Sequence, residues 1–381
     1  VAEETFGFIL TTMIPYFDLT RQLNSWPELK DTVLRVMDRG RFVGGEEVQQ
    51  FEENFARKLG IDHCIGTANG TDALYLILKA LQLPAGSEVI TPAWSCMPTA
   101  ETITLAGYTP VFCDVDEQYM VITPERVKQK ITSRTRAVLA VHLYGQAAPV
   151  HELKQLCDAL SIHLVEDCAQ AHLSLENGRP VGTFGIAAAF SFYPTKNLGA
   201  LGDAGCVVTA SKELADRIRM LANHGSPPPA QYDYQTEGIN SRLDALQAAV
   251  LNLKLHRLNE FNNKRRNIAA HYARALSGIG GLGLPEERPE SFHTYHIYCI
   301  RSRHRNELRK YLGLNGIETH IHYPVALPLT PAFAHRGFNE THFPVAARLA
   351  KEVLSLPVFP ELTDDEATRV ATHVASFFKK E

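Results

Sequence analysis

Two tryptophans, five methionines and seven cysteines are all that this chain of 381 residues holds of those types. The cysteines stand at 64, 96, 113, 157, 168, 206 and 299, and no C-x-x-C occurs among them. That argues against a zinc ribbon and a dithiol redox pair. An odd, scattered set in a chain of this length predicts free thiols and a reducing, cytoplasmic setting. No run of eighteen apolar residues is present, so no transmembrane helix is expected. A basic excess is missing too: 38 Lys+Arg stand against 42 Asp+Glu, a formal net charge of -4, which argues against a nucleic-acid partner. Neither a P-loop Gly-Lys-Ser/Thr nor His-Glu-x-x-His is found, and Gly40 to Gly45 has no strand before it to make a dinucleotide fingerprint. There is no internal repeat and no low-complexity tract.

What is present is ordinary for a globular chain: 45% hydrophobic and 21% charged residues, enough for two or three domains. The start, Val1-Ala2-Glu3-Glu4, is acidic and unlike a secretory leader, and residues 1–12 read as a tag or upstream extension. A large domain is expected over 13–259 and a smaller C-terminal one over 260–381. From Gly45 to Val208, helical spacings (Val48, Phe51, Phe55, Leu59; Leu74, Ile77, Leu78, Leu81) alternate with short apolar runs at 88–91, 111–115, 137–141, 162–166, 188–192 and 206–209. This pattern predicts an α/β fold with a mostly parallel sheet between helices. Beyond a Pro227-Pro228-Pro229 loop, a long helical stretch carries Leu243, Leu246, Val250 and Leu253 and continues or restarts through Tyr272. Strands are expected at 295–300 and 317–321, a helix at 305–314, and a last helical segment from Phe343.

Three stretches can carry chemistry. Asn69-Gly70-Thr71-Asp72-Ala73-Leu74 opens an amphipathic helix, and free N–H groups there bind anions, phosphate above all; an ordinary N-cap is the plain alternative. Asp167, in Glu166-Asp167-Cys168-Ala169-Gln170, ends a buried strand, where a carboxylate can serve a metal, a base or a cationic ring nitrogen; a turn-capping Asp is equally open. Lys196 follows a core strand and Pro194, a place where desolvation suits a Schiff-base lysine. Taken together, a phosphate cradle, a carboxylate for a pyridinium nitrogen and such a lysine are what pyridoxal phosphate needs. The pairs His320-x-His322 and His293-x-x-His296 have no carboxylate at a metal-site spacing and read as loop or strand histidines.

The order and wording of these stretches resemble the DegT/StrS family of pyridoxal-phosphate-dependent nucleotide-sugar aminotransferases, over about Ile14 to Leu362. The likeness is carried by Phe42-Val43-Gly44-Gly45, Asn69 to Leu74, Val141-His142-Leu143-Tyr144-Gly145-Gln146, Glu166 to His172, Ser191 to Leu198, Gly238 to Ala249 and Ile321-His322-Tyr323-Pro324. It implies the fold-type I architecture, with the cofactor in the large domain. It implies that Lys196 bonds to pyridoxal 5'-phosphate and acts as general base, that Asp167 pairs with the ring nitrogen, and that Gln170 contacts the ring hydroxyl. Gly70, Thr71 and Ser191 are expected to hold the phosphate, and Trp94 to stack on the ring. Asn240 is expected to reach the cofactor of a neighbouring subunit, making a homodimer with shared sites. His322 and Tyr323 are expected to read a nucleotide-linked keto sugar, with glutamate as the expected amino donor. The His-Tyr-Pro loop resembles members that aminate C-3, whereas Ala326-Leu327-Pro328-Leu329-Thr330 departs from their pattern and leaves C-4 as the alternative. Related sugar dehydratases carry His in place of the lysine, so Lys196 argues against that class; a binding protein without turnover is the remaining alternative.

Overall fold

The structure is a computed structural model that describes residues 13–229 and 232–379; the expectation for residues 1–12 lies outside them. Seven strands form the central sheet: β1 (His63–Thr67), β2 (Glu88–Pro92), β3 (Thr109–Cys113), β4 (Thr135–Val141), β5 (His163–Asp167), β6 (Ala187–Ser191) and β7 (Gly205–Thr209), in the order β1-β7-β6-β5-β4-β2-β3. The pairs from β3 across to β6 are parallel, and β7 is antiparallel to both β6 and β1. The mostly parallel α/β sheet is therefore as expected, and it is built from near-continuous apolar runs buried on both faces. Strand β1 is an addition to the six read from the sequence. Gly66 interrupts its apolar run, and a Cβ at Gly66 would lie 2.6 Å from Leu243 Cβ.

The topology decides where chemistry can occur. Strands β1, β2, β4, β5 and β6 all run the same way, so Thr67, Pro92, Val141, Asp167 and Ser191 end at one edge of the sheet. Ligands bind beyond such carboxyl ends.

An aromatic cluster fixes the strand that leads to Lys196. Phe51 and Phe55, one helical turn apart on the helix Glu46–Leu59, stack at 5.6 Å. Phe55 meets Phe190 and Phe192 edge-on at 5.1 and 5.4 Å, and Phe51 meets Phe192 at 5.2 Å. All four side chains are fully buried.

A second hydrophobic cluster gathers Ile268, Tyr272, Tyr298, Leu308, Leu354, Phe359 and Val370, with Ile14 from the start of the described chain. Strands β8 (Tyr298–Arg301) and β9 (Val353–Leu356) pair antiparallel within it. The long helical stretch restarts: Ala245–Leu255 is followed by Leu258–Leu276. The strand expected at 317–321 does not form. Its neighbours touch it at single points, Ile14 at Ile317 and Ser355 at His320, so no ladder is made. The segment from Phe343 is two helices, Pro344–Glu352 and Asp364–Phe378, separated by β9.

Candidate active site

At the carboxyl edge lies a cavity of about 400 Å³. It is lined by Gly70, Thr71, Asp167, Gln170, Ser191 and Lys196, together with His322 and Tyr323. Eight of the ten residues singled out from the sequence thus meet at one place.

The phosphate-cradle end comes from close packing. Asn69 caps the helix Gly70–Ala80, its side chain accepting from Asp72 N–H at 2.8 Å. The earlier N–H groups of that turn have no intrahelical acceptor. A Cβ on Gly70 would lie 2.7 Å from Ser191 Cβ, and one on Gly205 would lie 2.4 Å from the Asn69 carbonyl carbon. Two glycines thus let the helix start press against Ser191 and β7.

Asp167 ends β5, 5% exposed. One oxygen accepts from Ala169 N–H at 3.1 Å and the other from Thr99 Oγ1–H at 3.0 Å, while Thr99 Oγ1 lies 2.8 Å from Ser95 Oγ. Burial pushes the carboxyl above its usual range, and the Ala169 N–H, the Thr99 hydroxyl and the Lys196 charge oppose it. Such a carboxylate suits a cationic partner. The neighbouring Glu166 points elsewhere, accepting from His142 Nε2 at 3.0 Å and from the N–H groups of Gly182, Phe184 and Gly185. Burial raises its pKa, yet His142 and those N–H groups outweigh it and hold Glu166 ionised. Ala148 N–H donates to His142 Nδ1 at 3.1 Å, so the ring proton sits on Nε2. With Cys168 these two form a buried trio, but their ring and carboxylate lone pairs are already engaged within the protein.

Lys196 sits in a pinned turn. Its N–H donates to Tyr193 O at 2.8 Å, and Asn197 Nδ2 donates to Asn262 Oδ1 and Thr294 O at 2.8 and 3.0 Å. The buried Lys254 ammonium donates to Gly199 O at 2.8 Å. Burial lowers the Lys196 pKa, with Asp167 and Cys96 opposing, which raises the share of neutral amine.

Trp94 requires a correction. It was expected to stack over a bound ring, but it does not line the cavity: it is 1% exposed and donates from Nε1 to Tyr144 Oη at 3.1 Å. The cavity wall at that point is Ser95, Cys96 and Thr99, because Trp94 leaves the end of β2 toward the protein interior. Asn240 does not line this cavity either; it is exposed on a loop and bridges Asn223. Gln170 bonds to Tyr144 N–H through Oε1 at 2.7 Å and to Tyr323 Oη through Nε2 at 3.0 Å. His322 Nδ1 lies 2.9 Å from Ser355 Oγ; burial drops its pKa to about 4, so the ring is neutral. The sequence reading did not place Thr99 or Cys96 at the site, and His296, read there as a loop or strand histidine, also lines the cavity. Thr99 in the first turn after Pro98 was its best available signal; the other two are placed only by tertiary packing.

One cavity thus holds a free helix start, a buried carboxylate and a buried lysine of lowered pKa. The profile of the DegT/DnrJ/EryC1/StrS aminotransferase family matches residues 26–375, so the chain belongs to that family. It is similar to the dTDP-3-amino-3,4,6-trideoxy-alpha-D-glucose transaminase of Streptomyces venezuelae, 41% identical, covering 97% of both chains. It is also similar to a Pleiotropic regulatory protein of Geobacillus stearothermophilus, 40% identical over 96% of this chain and 99% of the other. The crystal structure of S. venezuelae DesV in complex with a ketimine intermediate superposes with a TM-score of 0.94 at 41% identity, covering 97% of this chain and 99% of that one. The protein is a pyridoxal-phosphate-dependent sugar aminotransferase of fold-type I. No helix among the described residues is long and apolar enough to cross a membrane.

Proposed function

We propose that the chain moves an amino group from glutamate to the C-3 keto group of a nucleotide-linked sugar. The observation that carries this is the meeting of Lys196, Asp167, Gly70 and Ser191 with His322 and Tyr323 in the lining of one cavity. When bound, pyridoxal phosphate supplies a carbonyl that takes up the amino group and a ring that accepts electrons. Gly70, Thr71 and Ser191 hold its phosphate. Asp167, oriented by Thr99 and Ala169, keeps the proton on the ring nitrogen, and Gln170 contacts the ring hydroxyl. Lys196 would hold the cofactor carbonyl, and its Nζ, with a pKa lowered by burial, would serve as the base for the proton at the substrate carbon. His322 and Tyr323 hydrogen-bond the sugar nucleotide; both are uncharged, His322 by burial and Tyr323 because burial raises its phenol.

Asn240 is exposed and lies outside its own cavity, which supports its reaching the cofactor phosphate of a neighbouring subunit, and the working unit is a homodimer with shared sites. All seven cysteines are unpaired, which fits the cytoplasm. C-3 is favoured by the name of the S. venezuelae relative and by the His322-Tyr323-Pro324 sequence. The test is to supply 3-keto and 4-keto nucleotide sugars with glutamate and locate the new amine by NMR. An amine at C-3 is expected; amination only at C-4 overturns the position. Sedimentation of an active species at 42.3 kDa would overturn the dimer.

A further inference from the structure

The segment that leaves β4 makes an unusual turn. His142 N–H still donates to Asp167 O at 3.1 Å, continuing the sheet register. Tyr144 then takes φ 61°, ψ 3°, a left-handed conformation that non-glycine residues rarely adopt. Gly145 follows at φ 96°, where a Cβ would lie 2.6 Å from Thr294 Oγ1. The turn directs two groups of one residue to two sides of the site. The Tyr144 backbone N–H donates to Gln170 Oε1 at 2.7 Å. The Tyr144 side chain, 5% exposed, lies behind the cavity wall; its hydroxyl accepts from Trp94 Nε1 at 3.1 Å and donates to the His322 carbonyl. Gln170 Nε2 donates to Tyr323 Oη at 3.0 Å. A closed circuit results: Tyr144 N–H, the Gln170 amide, the Tyr323 phenol, the His322 carbonyl and the Tyr144 hydroxyl. Gln170, His322 and Tyr323 face the cavity, whereas Tyr144 and Trp94 do not.

We propose that Tyr144 is a positioning residue for sugar recognition: its hydroxyl, oriented by Trp94, fixes the His322 carbonyl and with it the pair His322–Tyr323. This deepens the functional reading above and rests on its assignment of that pair to the sugar. The two arms of Tyr144 are separable. Phenylalanine keeps the ring and the backbone N–H to Gln170, so the direct bond that holds Gln170 from the Tyr144 side is retained. It removes only the hydroxyl, leaving the His322 carbonyl and the Trp94 N–H, both turned inward, without their partner. An unmade buried hydrogen bond is costly, and here the cost falls on the placement of residues 322–323. Trp94→Phe removes the donor that orients the hydroxyl and acts on the same link from the far side.

The experiment uses the full-length protein with cofactor. Tyr144→Phe, Trp94→Phe and the double variant are compared in the two half-reactions, and hydrogen exchange is followed over residues 318–326. For Tyr144→Phe the expected result is a rise of about tenfold in KM for the keto sugar, with the glutamate half-reaction within about twofold of the wild type. Exchange over 318–326 should speed up. Adding Trp94→Phe to Tyr144→Phe should change the sugar KM by less than about twofold, since both act through one bond. An unchanged sugar KM, or an equal loss in both half-reactions, overturns the proposal. Should Tyr144→Phe fail to fold, Trp94→Phe alone carries the test, with a raised sugar KM expected and an unchanged one decisive against it. A wild type that accepts no keto sugar would instead refute the functional reading. The exchange measurement then decides the anchor: faster exchange in Tyr144→Phe supports it, and unchanged exchange overturns it.

Discussion

Gly70→Ala makes a sharp test of the phosphate cradle, because general helix chemistry and local packing predict opposite signs. In a helix, alanine is favoured over glycine by about 1 kcal/mol. At residue 70, however, the new Cβ would lie 2.7 Å from Ser191 Cβ, 3.2 Å from Ser191 Cα and 3.4 Å from Ser191 Oγ. Contacts below 3.0 Å do not persist, so the helix start and Ser191 must part. Overpacking of this kind typically costs about 1–3 kcal/mol. The helix start and Ser191 are the two halves of the proposed phosphate site, so the same displacement should weaken cofactor binding by roughly 10–100-fold. Gly313→Ala is the control. Gly313 lies in the helix Arg305–Leu314 at an ordinary φ, and nothing stands within 4 Å of its Cβ position. That substitution should raise stability by about 0.5–1 kcal/mol and leave cofactor affinity alone. Titration of the apoprotein with pyridoxal phosphate, beside thermal melts, reads both. Wild-type cofactor affinity in Gly70→Ala would refute the cradle.

Two further outcomes follow from the site and its surroundings. Asp167→Asn keeps the shape and the Thr99 contact but removes the charge, and kcat should fall at least about 10²-fold, as when an electrostatic transition-state group is lost; single-turnover kinetics with an unchanged proton-transfer rate would exclude the role. Glu366 accepts two bonds at 2.7 Å from Arg21, and the Arg21 hydrogen bond holds its pKa near 2, below the model-peptide 4.5. Because the folded pKa is the lower one, this stabilisation is complete above about pH 4.5 and is lost as pH falls through about 2. Glu366→Gln should therefore be less stable at pH 7 and show a shallower loss between pH 4.5 and 2, measured by denaturant titration at each pH.

The parallel sheet was legible because its strands are buried on both faces and are written as unbroken apolar runs such as Ala137 to Val141. Strand β1 was not, since Gly66 breaks the run for a packing reason, the approach of Leu243, that no local pattern announces. The stretch 317–321 alternates like a strand, but pairing depends on neighbours, and Ile14 and Ser355 each reach it at one residue. At the site, Asp167 and Lys196 could be read because they lie at or after the ends of apolar strand runs, and the Gly70 turn because it opens an amphipathic helix. Trp94 could not, because the residues from Trp94 to Thr99 divide between the interior and the cavity through a turn whose direction is set by tertiary packing. Its Nε1 partner, Tyr144, lies 50 residues away. The circuit through Gln170 and His322 joins residues up to 178 apart, beyond any sequence window.

The most direct test of the central claim is spectral. The wild type, loaded with pyridoxal phosphate, should lose its lysine-bound absorbance on addition of glutamate and regain it on addition of a keto nucleotide sugar. Lys196→Ala should still bind the cofactor through the cradle and Asp167, yet show neither the lysine-bound band nor turnover. Near-wild-type transamination by Lys196→Ala, or a wild type whose spectrum does not respond to any amino donor, would contradict the account.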